Sequence, residues 1–330
     1  METVSKLLPM TGIFAPLAYD FLEFKRAQGY KYRSEEKVLQ RFCGFAAKYP
    51  LEHAALTKEL VFDWTATRNG EASKSRAHRI TCVKQFGDYL KPLGYKVFEL
   101  PPQKHWNDSS FTPYIFSHEE IATLFRAADS IRPIGQARDM HREIPVLIRM
   151  LYSCGLRVSE AVKLRVADVD LGSGILTIRD TKFGKSRLIP IADSLLSHCR
   201  EYRKDVIYWL RDDDFFFIAP DRTMLSPNTV YQRFRKLLWA SGIHYGGKGN
   251  GPRLHDLRHT FAVHTLQHWV ESGEDLTAML PVLSVFMGHA SLKATSRYLR
   301  LTAEVYPDVM RRVESACGYV IPEGAASETD

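Results

Sequence analysis

The chain has no long hydrophobic run: no stretch of its 330 residues approaches about eighteen uninterrupted apolar residues, so no membrane-spanning helix is expected. The N-terminus, METVSKLLPMTGIFAPLAYDF, has one early lysine and a broken apolar stretch, unlike a secretory signal. Cysteine is scarce. Cys43, Cys82, Cys154, Cys199 and Cys317 are odd in number, far apart and without a CxxC pair, which excludes a disulfide scaffold and points to reduced thiols in a cytoplasmic protein. Internal repeats and low-complexity blocks are also lacking. With 45% hydrophobic and 25% charged residues, disorder is not indicated, and a chain of this length is expected to split into two domains.

What is present in surplus is positive charge. The net charge is +7 and the pI near 9.1, which favours a polyanionic partner. Residues 1–112 carry 17 Lys and Arg against 12 Asp and Glu, and residues 113–322 carry 28 against 23, a net of +5 in each case. The tail EGAASETD (323–330) is acidic. Both halves are therefore basic, as expected if both touch nucleic acid.

The first hundred residues read as short amphipathic helices. Leu17, Phe21 and Phe24 recur at helical spacing, Ser34 is placed to N-cap SEEKVLQRFCGF, and KELVFDWTATR (58–68) fits a third helix. A fourth, from Ser73 to about Leu90, aligns Ile80, Val83, Phe86 and Leu90 on one stripe. Lys74, Arg76, His78, Arg79 and Lys84 crowd its remaining surface, either as a solvated face or as phosphate contacts. Prolines and polar residues in PPQKHWNDSSFTP then mark a linker over 101–112.

Beyond the linker, SHEE (117–120) matches a capping box with Ser117 as N-cap and Glu120 three residues on. A helix through IPVLIRMLYSCG is expected to end at Gly155, and GLRVSE to start the next. GILTIRD and SRLIPIA alternate apolar and polar residues around TKFGK, the pattern of a β-hairpin with Gly184 in its turn. Asp212, Asp213 and Asp214 read as a solvated turn before an apolar strand, FFFIAP. Helices are expected over 226–242, 255–268, 280–288 and 291–301.

Four local sequences carry side chains suited to one phosphodiester: GLRVSE (155–160), TKFGKSRLIPI (181–191), HDLRH (255–259) and MGHASLKATSRY (287–298). Arg157 and Arg258 supply planar forks for charge developing on nonbridging oxygens. His255, three residues before Arg258, shares its helix face. Glu160, three residues after Arg157, is either the acid that orients that guanidinium or an ordinary surface carboxylate. Tyr298 is a nucleophile only if its proton is taken up and cations favour the phenolate; His255 is the expected acceptor and the two arginines the expected cations. The leaving oxygen needs a proton, for which Lys182 at the mouth of the hairpin is the candidate and Lys185 its competitor. The pairs His255/His259 and His264/His268 have HxxxH spacing, but no glutamate stands in the HExxH position, so no metal is expected there.

In order and spacing these runs resemble the tyrosine recombinases, the phage-integrase and Xer-like family of site-specific DNA strand-exchange enzymes. The resemblance covers about residues 113–310 through its motifs, and residues 13–100 by position, helicity and charge. It implies a mainly α fold with a small β-sheet (α+β), in which a helical, SAM-like core-binding domain (1–100) and a catalytic domain with a C-terminal arm (113–322) close on DNA as a C-shaped clamp. Arg157, Lys182, His255, Arg258, His289 and Tyr298 would be catalytic, with Tyr298 as nucleophile, His289 on the scissile phosphate and Glu160 behind Arg157. Lys74, Arg76, Arg79, Lys84 and Lys185 would contact DNA.

The activity implied is cleavage and rejoining through a 3′-phosphotyrosyl intermediate and a Holliday junction, with no cofactor, metal or ATP. Partners would be double-stranded DNA with inverted repeats, four copies of the chain on synapsed duplexes, monomers when free, and optionally a second recombinase. Segment 311–322 would be donated to a neighbour or complete the protomer's own core. Helical sequence so near the start leaves no expected arm-binding domain. A type IB topoisomerase-like strand transferase, or a transposase with the same chemistry, is the alternative; localisation at the nucleoid in the cytoplasm is expected.

Overall fold

The computed structural model describes residues 9–100, 112–133, 139–179, 186–247, 251–289 and 292–305. The chain divides into two compact units, Met1–Phe111 and Thr112–Asp330, with a boundary inside the expected linker. Lys182, Lys185, the hairpin turn with Gly184, most of the linker and the C-terminal segment 311–322 lie outside the described residues.

The first unit is built from α1 (Ala15–Ala27), α2 (Arg33–Ala46), α3 (Lys58–Thr65) and α4 (Ser73–Leu90). Its centre is aromatic: Phe14, Phe21, Phe42 and Phe86 have neighbouring ring centroids 5.5–6.2 Å apart, and Trp64 stands edge-on to Phe42. Such tilted and edge-on pairs add to the burial of large rings. The α4 stripe is as expected, with Ile80, Val83, Phe86 and Leu90 all buried. The α1 stripe is not. Phe24 is 44% exposed, and the buried face runs through Phe14, Ala18, Phe21 and Leu22. Nor does Ser34 cap α2. The helix starts two residues earlier than such a cap would place it, behind Tyr32, whose φ of +43° turns the chain, and the Ser34 hydroxyl donates to Glu35.

Arg79 corrects the reading of the α4 cations. It is 5% exposed and forks onto Glu71, with Nε–Oε1 at 3.0 Å and Nη2–Oε2 at 2.6 Å, while Nη2 also donates to the Ala66 carbonyl. Its guanidinium lies over the Trp64 ring. An arginine so engaged ties the loop before α4 to the domain and has no free face for DNA. Lys74 and Lys84 are exposed, and Arg76 is half-buried with Nε donating to the Thr65 carbonyl.

The second unit begins with α5 (His118–Asp129), opened by the expected capping box between Ser117 and Glu120. Next come α6 (Met140–Ser153), which starts earlier than its sequence suggested, and the short α7 (Val158–Ala161). Gly155 joins them at φ +55°, and a Cβ there would meet the Phe261 ring at 2.6 Å, so only glycine permits this turn.

The hairpin is one part of a three-stranded antiparallel sheet: β1 (Val169–Asp170), β2 (Ile175–Ile178) and β3 (Arg187–Pro190) in that order, with Ile178 opposite Arg187. In β3 the inward positions are Arg187 and Ile189, and Leu188 is 64% exposed. The remaining elements are α8 (Asp193–Asp205), which the sequence reading did not anticipate, α9 (Pro227–Ala240), α10 (Asp256–Glu271), α11 (Leu276–Met287) and α12 (Leu292–Val305). FFFIAP is not a strand. It makes isolated bridges at Phe215 and Ile218, and buries Phe216 and Phe217 against Tyr202 of α8.

Candidate active site

The site gathers at the C-terminal end of α11. A helix ends with carbonyls that have no partner within it and with the negative end of its dipole. Here three arginines from distant parts of the chain supply the donors. Arg187 Nε donates to the Phe286 carbonyl at 2.9 Å, Arg258 Nη2 to that of Met287 at 2.5 Å, and Arg157 Nη2 to that of Gly288 at 3.5 Å. Gly288 closes the helix at φ +64°, and a Cβ on it would lie 2.7 Å from Arg187 Nη1. Its glycine is required both by conformation and by the guanidinium packed on it.

Three clustered guanidiniums repel one another, and Glu160 offsets this. Its carboxylate lies 2.7 Å from Arg157, 2.9 Å from Arg187 and 3.9 Å from Arg258, and it also accepts from the Arg157 backbone N–H. Burial alone would raise this carboxyl. The hydrogen bonds from Arg187 and Arg157 outweigh burial and bring it down to about 2. Glu160 thus does orient Arg157, and it holds Arg187 as well.

Arg258 is 1% exposed, with Nη1 on the Gly155 carbonyl at 2.6 Å besides its bond to Met287. Burial, then the charge of Arg157, pull its pKa down to about 10, so it stays a cation at neutral pH. Arg157, as N-cap of α7, is the more open of the two, with about a third of its side chain exposed.

Tyr298 sits on α12, which packs against α10 and α11, and is 4% exposed. Its ring stacks on His289 with centroids 5.8 Å apart and planes within 17°. His289 Nδ1 pairs with the buried Thr295 hydroxyl at 2.8 Å, which fixes the imidazole between α11 and α12. The structure therefore brings together Arg157, Arg258, His289, Tyr298 and Glu160, with His255 beginning α10 beside them.

Burial raises the pKa of the phenol, and although Arg258 and Arg157 pull it down as expected, burial outweighs them and the net shift is upward. The imidazole in hydrogen-bond contact with its hydroxyl is that of His259, with Nδ1–Oη at 3.0 Å, whereas His255 stands edge-on to His259 with centroids 4.8 Å apart. Both imidazoles are held neutral at physiological pH. Desolvation comes first for each; the charges of Arg258 and Arg157 add to it at His255, which falls to about 4 although its outer edge meets solvent, and the charges of His255 and Arg253 add to it at His259, which falls to about 3. His289 falls to about 4 through burial and the same arginines.

His264, one of the second HxxxH pair, turns elsewhere: Nδ1 meets the Tyr152 hydroxyl at 2.8 Å and its ring stacks on His118. Among the described residues no three His, Cys, Asp or Glu side chains are grouped as metal ligands would be. No helix described is long and apolar enough to cross a membrane.

Sequence reasoning missed Arg187 and His259. The signal for Arg187 was the phase of its strand: if Ile189 and Ile191 point inward, so does Arg187. His259 was visible only as one end of an HxxxH pair, four residues after His255 and therefore on its face of the helix.

Residues 115–304 match the model of the phage integrase family. A protein of Sinorhizobium fredii (strain NBRC 101917 / NGR234) that bears the name integrase/recombinase y4rB is 32% identical over 309 residues, which span 91% of this chain and 97% of that one. The tyrosine recombinase XerA of Pyrococcus furiosus is 31% identical over 206 residues, 61% of this chain and 62% of its own. Among solved structures, the integrase of the Tn1549 transposon in complex with transposon right end DNA superposes with a TM-score of 0.63 at 14% identity, covering 92% of this chain and 99% of that chain, a likeness of fold. Family model, overall identity and fold agree, and the chain belongs to the phage integrase family, the tyrosine-type site-specific recombinases.

Proposed function

We propose that this recombinase cleaves and rejoins double-stranded DNA through a covalent 3′-phosphotyrosyl intermediate formed by Tyr298. The observation that carries the reading is the convergence of Arg157, Arg258, His289 and Tyr298 on the end of α11, where cations surround a buried phenol. A phosphodiester is the anion that fits: its nonbridging oxygens take N–H donors from Arg157 and Arg258, and His289 supplies a further one. Attack forms the bond from Tyr298 Oη to phosphorus and breaks the bond to the 5′ oxygen, which leaves with a proton. Lys182 is the proposed source of that proton and Lys185 the alternative. The freed 5′ hydroxyl of a partner duplex then attacks the phosphotyrosine, so bond energy is kept and the product is a recombined strand.

In this reading Met1–Phe111 is the core-binding domain, and Lys74, Arg76 and Lys84 are its phosphate contacts. Four copies act on two duplexes with inverted-repeat sites, through a Holliday junction. The complex of the transposon integrase with DNA supports a DNA substrate for the shared fold.

The test uses a nicked duplex bearing the highest-affinity sequence that this protein selects from a random pool. The wild type is expected to trap a covalent adduct, and Tyr298→Phe to form none while binding the duplex within a few-fold. An adduct with the Phe variant would remove Tyr298 from the role. Joined duplexes would separate a recombinase from a topoisomerase-like strand transferase.

A further inference from the structure

We propose, resting on the preceding reading in which Arg157 and Tyr298 act on one phosphodiester, that Arg187 is a positioning residue for strand cleavage: through Glu160 it sets the direction in which the Arg157 fork meets the scissile phosphate. The Glu160 carboxylate is shared between the two arginines. Arg187 Nη1 donates to Oε1 at 3.1 Å and Nη2 to Oε2 at 2.9 Å. The same oxygens serve Arg157: Oε1 accepts from its Nη1 at 2.7 Å and Oε2 from its backbone N–H at 2.9 Å. A carboxylate held at both oxygens by a planar guanidinium resists turning about its own axis, so Oε1 stays aimed at Arg157.

The three side chains differ in what holds them still. Arg157 is 36% exposed, and beyond Glu160 its guanidinium reaches only the Gly288 carbonyl, at 3.5 Å, among the described residues. Glu160 and Arg187 are 9% and 7% exposed. Arg187 is fixed from behind: its backbone lies in β3 opposite Ile178, its Nε donates to the Phe286 carbonyl at 2.9 Å, and its guanidinium packs on Gly288. Rigidity therefore passes from the strand and the end of α11 to Arg187, from there to Glu160, and from Glu160 to the open Arg157. A group that binds a phosphate during reaction has to keep its direction closely, since a displacement of about 1 Å can slow a reaction on the order of a hundredfold.

Charge compensation alone does not account for Arg187. Arg157 and Arg258 already lie 2.7 Å and 3.9 Å from Glu160, so a third cation is not needed to neutralise one carboxylate. What the third cation adds is geometry: two prongs on the two oxygens and Nε left over for the Phe286 carbonyl. A lysine at this position would keep the charge and lose the planar fork, which separates the two roles by experiment.

The test measures single-turnover adduct formation on the selected nicked duplex, with sulfur in place of the 5′ bridging oxygen where the wild type forms its adduct. Sulfur leaves without needing a proton, so the rate reports the phosphate clamp rather than the general acid, and slow variants stay measurable. Arg187→Lys, which keeps the charge, and Arg187→Met, which keeps only the bulk, should each react more slowly than wild type by a factor of about ten or more, with duplex affinity within about threefold. In an Arg157→Ala background the same substitutions should slow the reaction by less than about threefold further, because the fork they would misdirect is gone. Arg187→Lys carries the test if Arg187→Met does not fold.

An Arg187→Lys rate within about threefold of wild type would reduce Arg187 to its charge or its packing and overturn the proposal. So would an undiminished slowing in the Arg157→Ala background, or a loss of duplex affinity as large as the loss of rate, which would mark a merely structural role. The underlying reading is tested apart. If Tyr298→Phe still forms the adduct, the nucleophile is misassigned and the role of Arg187 falls with it; if that control is inactive and the Arg187 variants react as wild type, Arg187 alone is at fault.

Discussion

Two interiors of this protein are built on opposite principles. In the first unit Phe14, Phe21, Phe42, Phe86 and Trp64 pack ring against ring, held by apolar contacts. At the end of α11 in the second unit, the buried groups are Arg187, Arg258 and Glu160. There each cation is stable only because a carboxylate or a helix-terminal carbonyl meets it, and those partners come from residues up to 131 positions apart in sequence. The aromatic interior is tolerant, since rings of similar volume can repack. The charged interior is not, since removing one member leaves the others buried and unpaired.

The largest effect expected from breaking the charged interior is at Glu160. Glu160→Gln leaves three guanidiniums without their anion and should cost about 3–5 kcal/mol of stability, read by chemical denaturation. Its pKa is depressed from the ordinary carboxylate range to about 2 in the folded state, so this contribution is fully present above about pH 5 and is lost as pH falls toward 2. The gap between wild type and Glu160→Gln should therefore shrink on acidification. A gap independent of pH would show that the carboxylate charge is not what holds the cluster.

Next come the two arginines expected on the phosphate. Arg157→Ala and Arg258→Ala should each slow cleavage by a factor on the order of a hundred or more. They should differ in stability: Arg258 also satisfies the Gly155 and Met287 carbonyls in the interior, whereas Arg157 is partly open, so only Arg258→Ala should lower the melting temperature strongly. Equal melting temperatures would contradict the contrast in their burial.

The smallest effects fall in the first unit. Arg79→Ala breaks a buried fork with Glu71 and should cost about 2 kcal/mol with no specific change in the salt dependence of DNA binding. Lys74→Ala should do the reverse, leaving stability nearly unchanged and reducing the slope of log affinity against log salt by about 1. If Arg79→Ala changes that slope and Lys74→Ala does not, the assignment of buried and DNA-facing cations on α4 is inverted.

Much of the second unit was legible because its local sequences are short and self-contained. SHEE folds as the capping box it spells, Gly155 ends α6, and GLRVSE sets Arg157 and Glu160 one turn apart on a helix start. The α1 stripe misled because Leu17, Phe21 and Phe24 and the pair Phe14 and Ala18 both fit helical spacing, and only packing against α2 and α4 selects between them. FFFIAP looked like a strand by hydrophobicity, but two of its rings are held by Tyr202 on α8, an element that the sequence reading did not include.

The sequence by itself determined the family and pointed to a two-part organisation and to the side chains proposed for the site, because motif order and local helix signals are properties of short stretches. Tertiary structure decided which groups touch. It turned Arg79 inward, brought Arg187 from a strand onto Glu160, and set His259 rather than His255 against Tyr298. It also decided the sign of the phenol's pKa shift, since burial outweighs the arginines there. Burial and partner distance depend on where distant segments meet, and no spacing within a single motif encodes them.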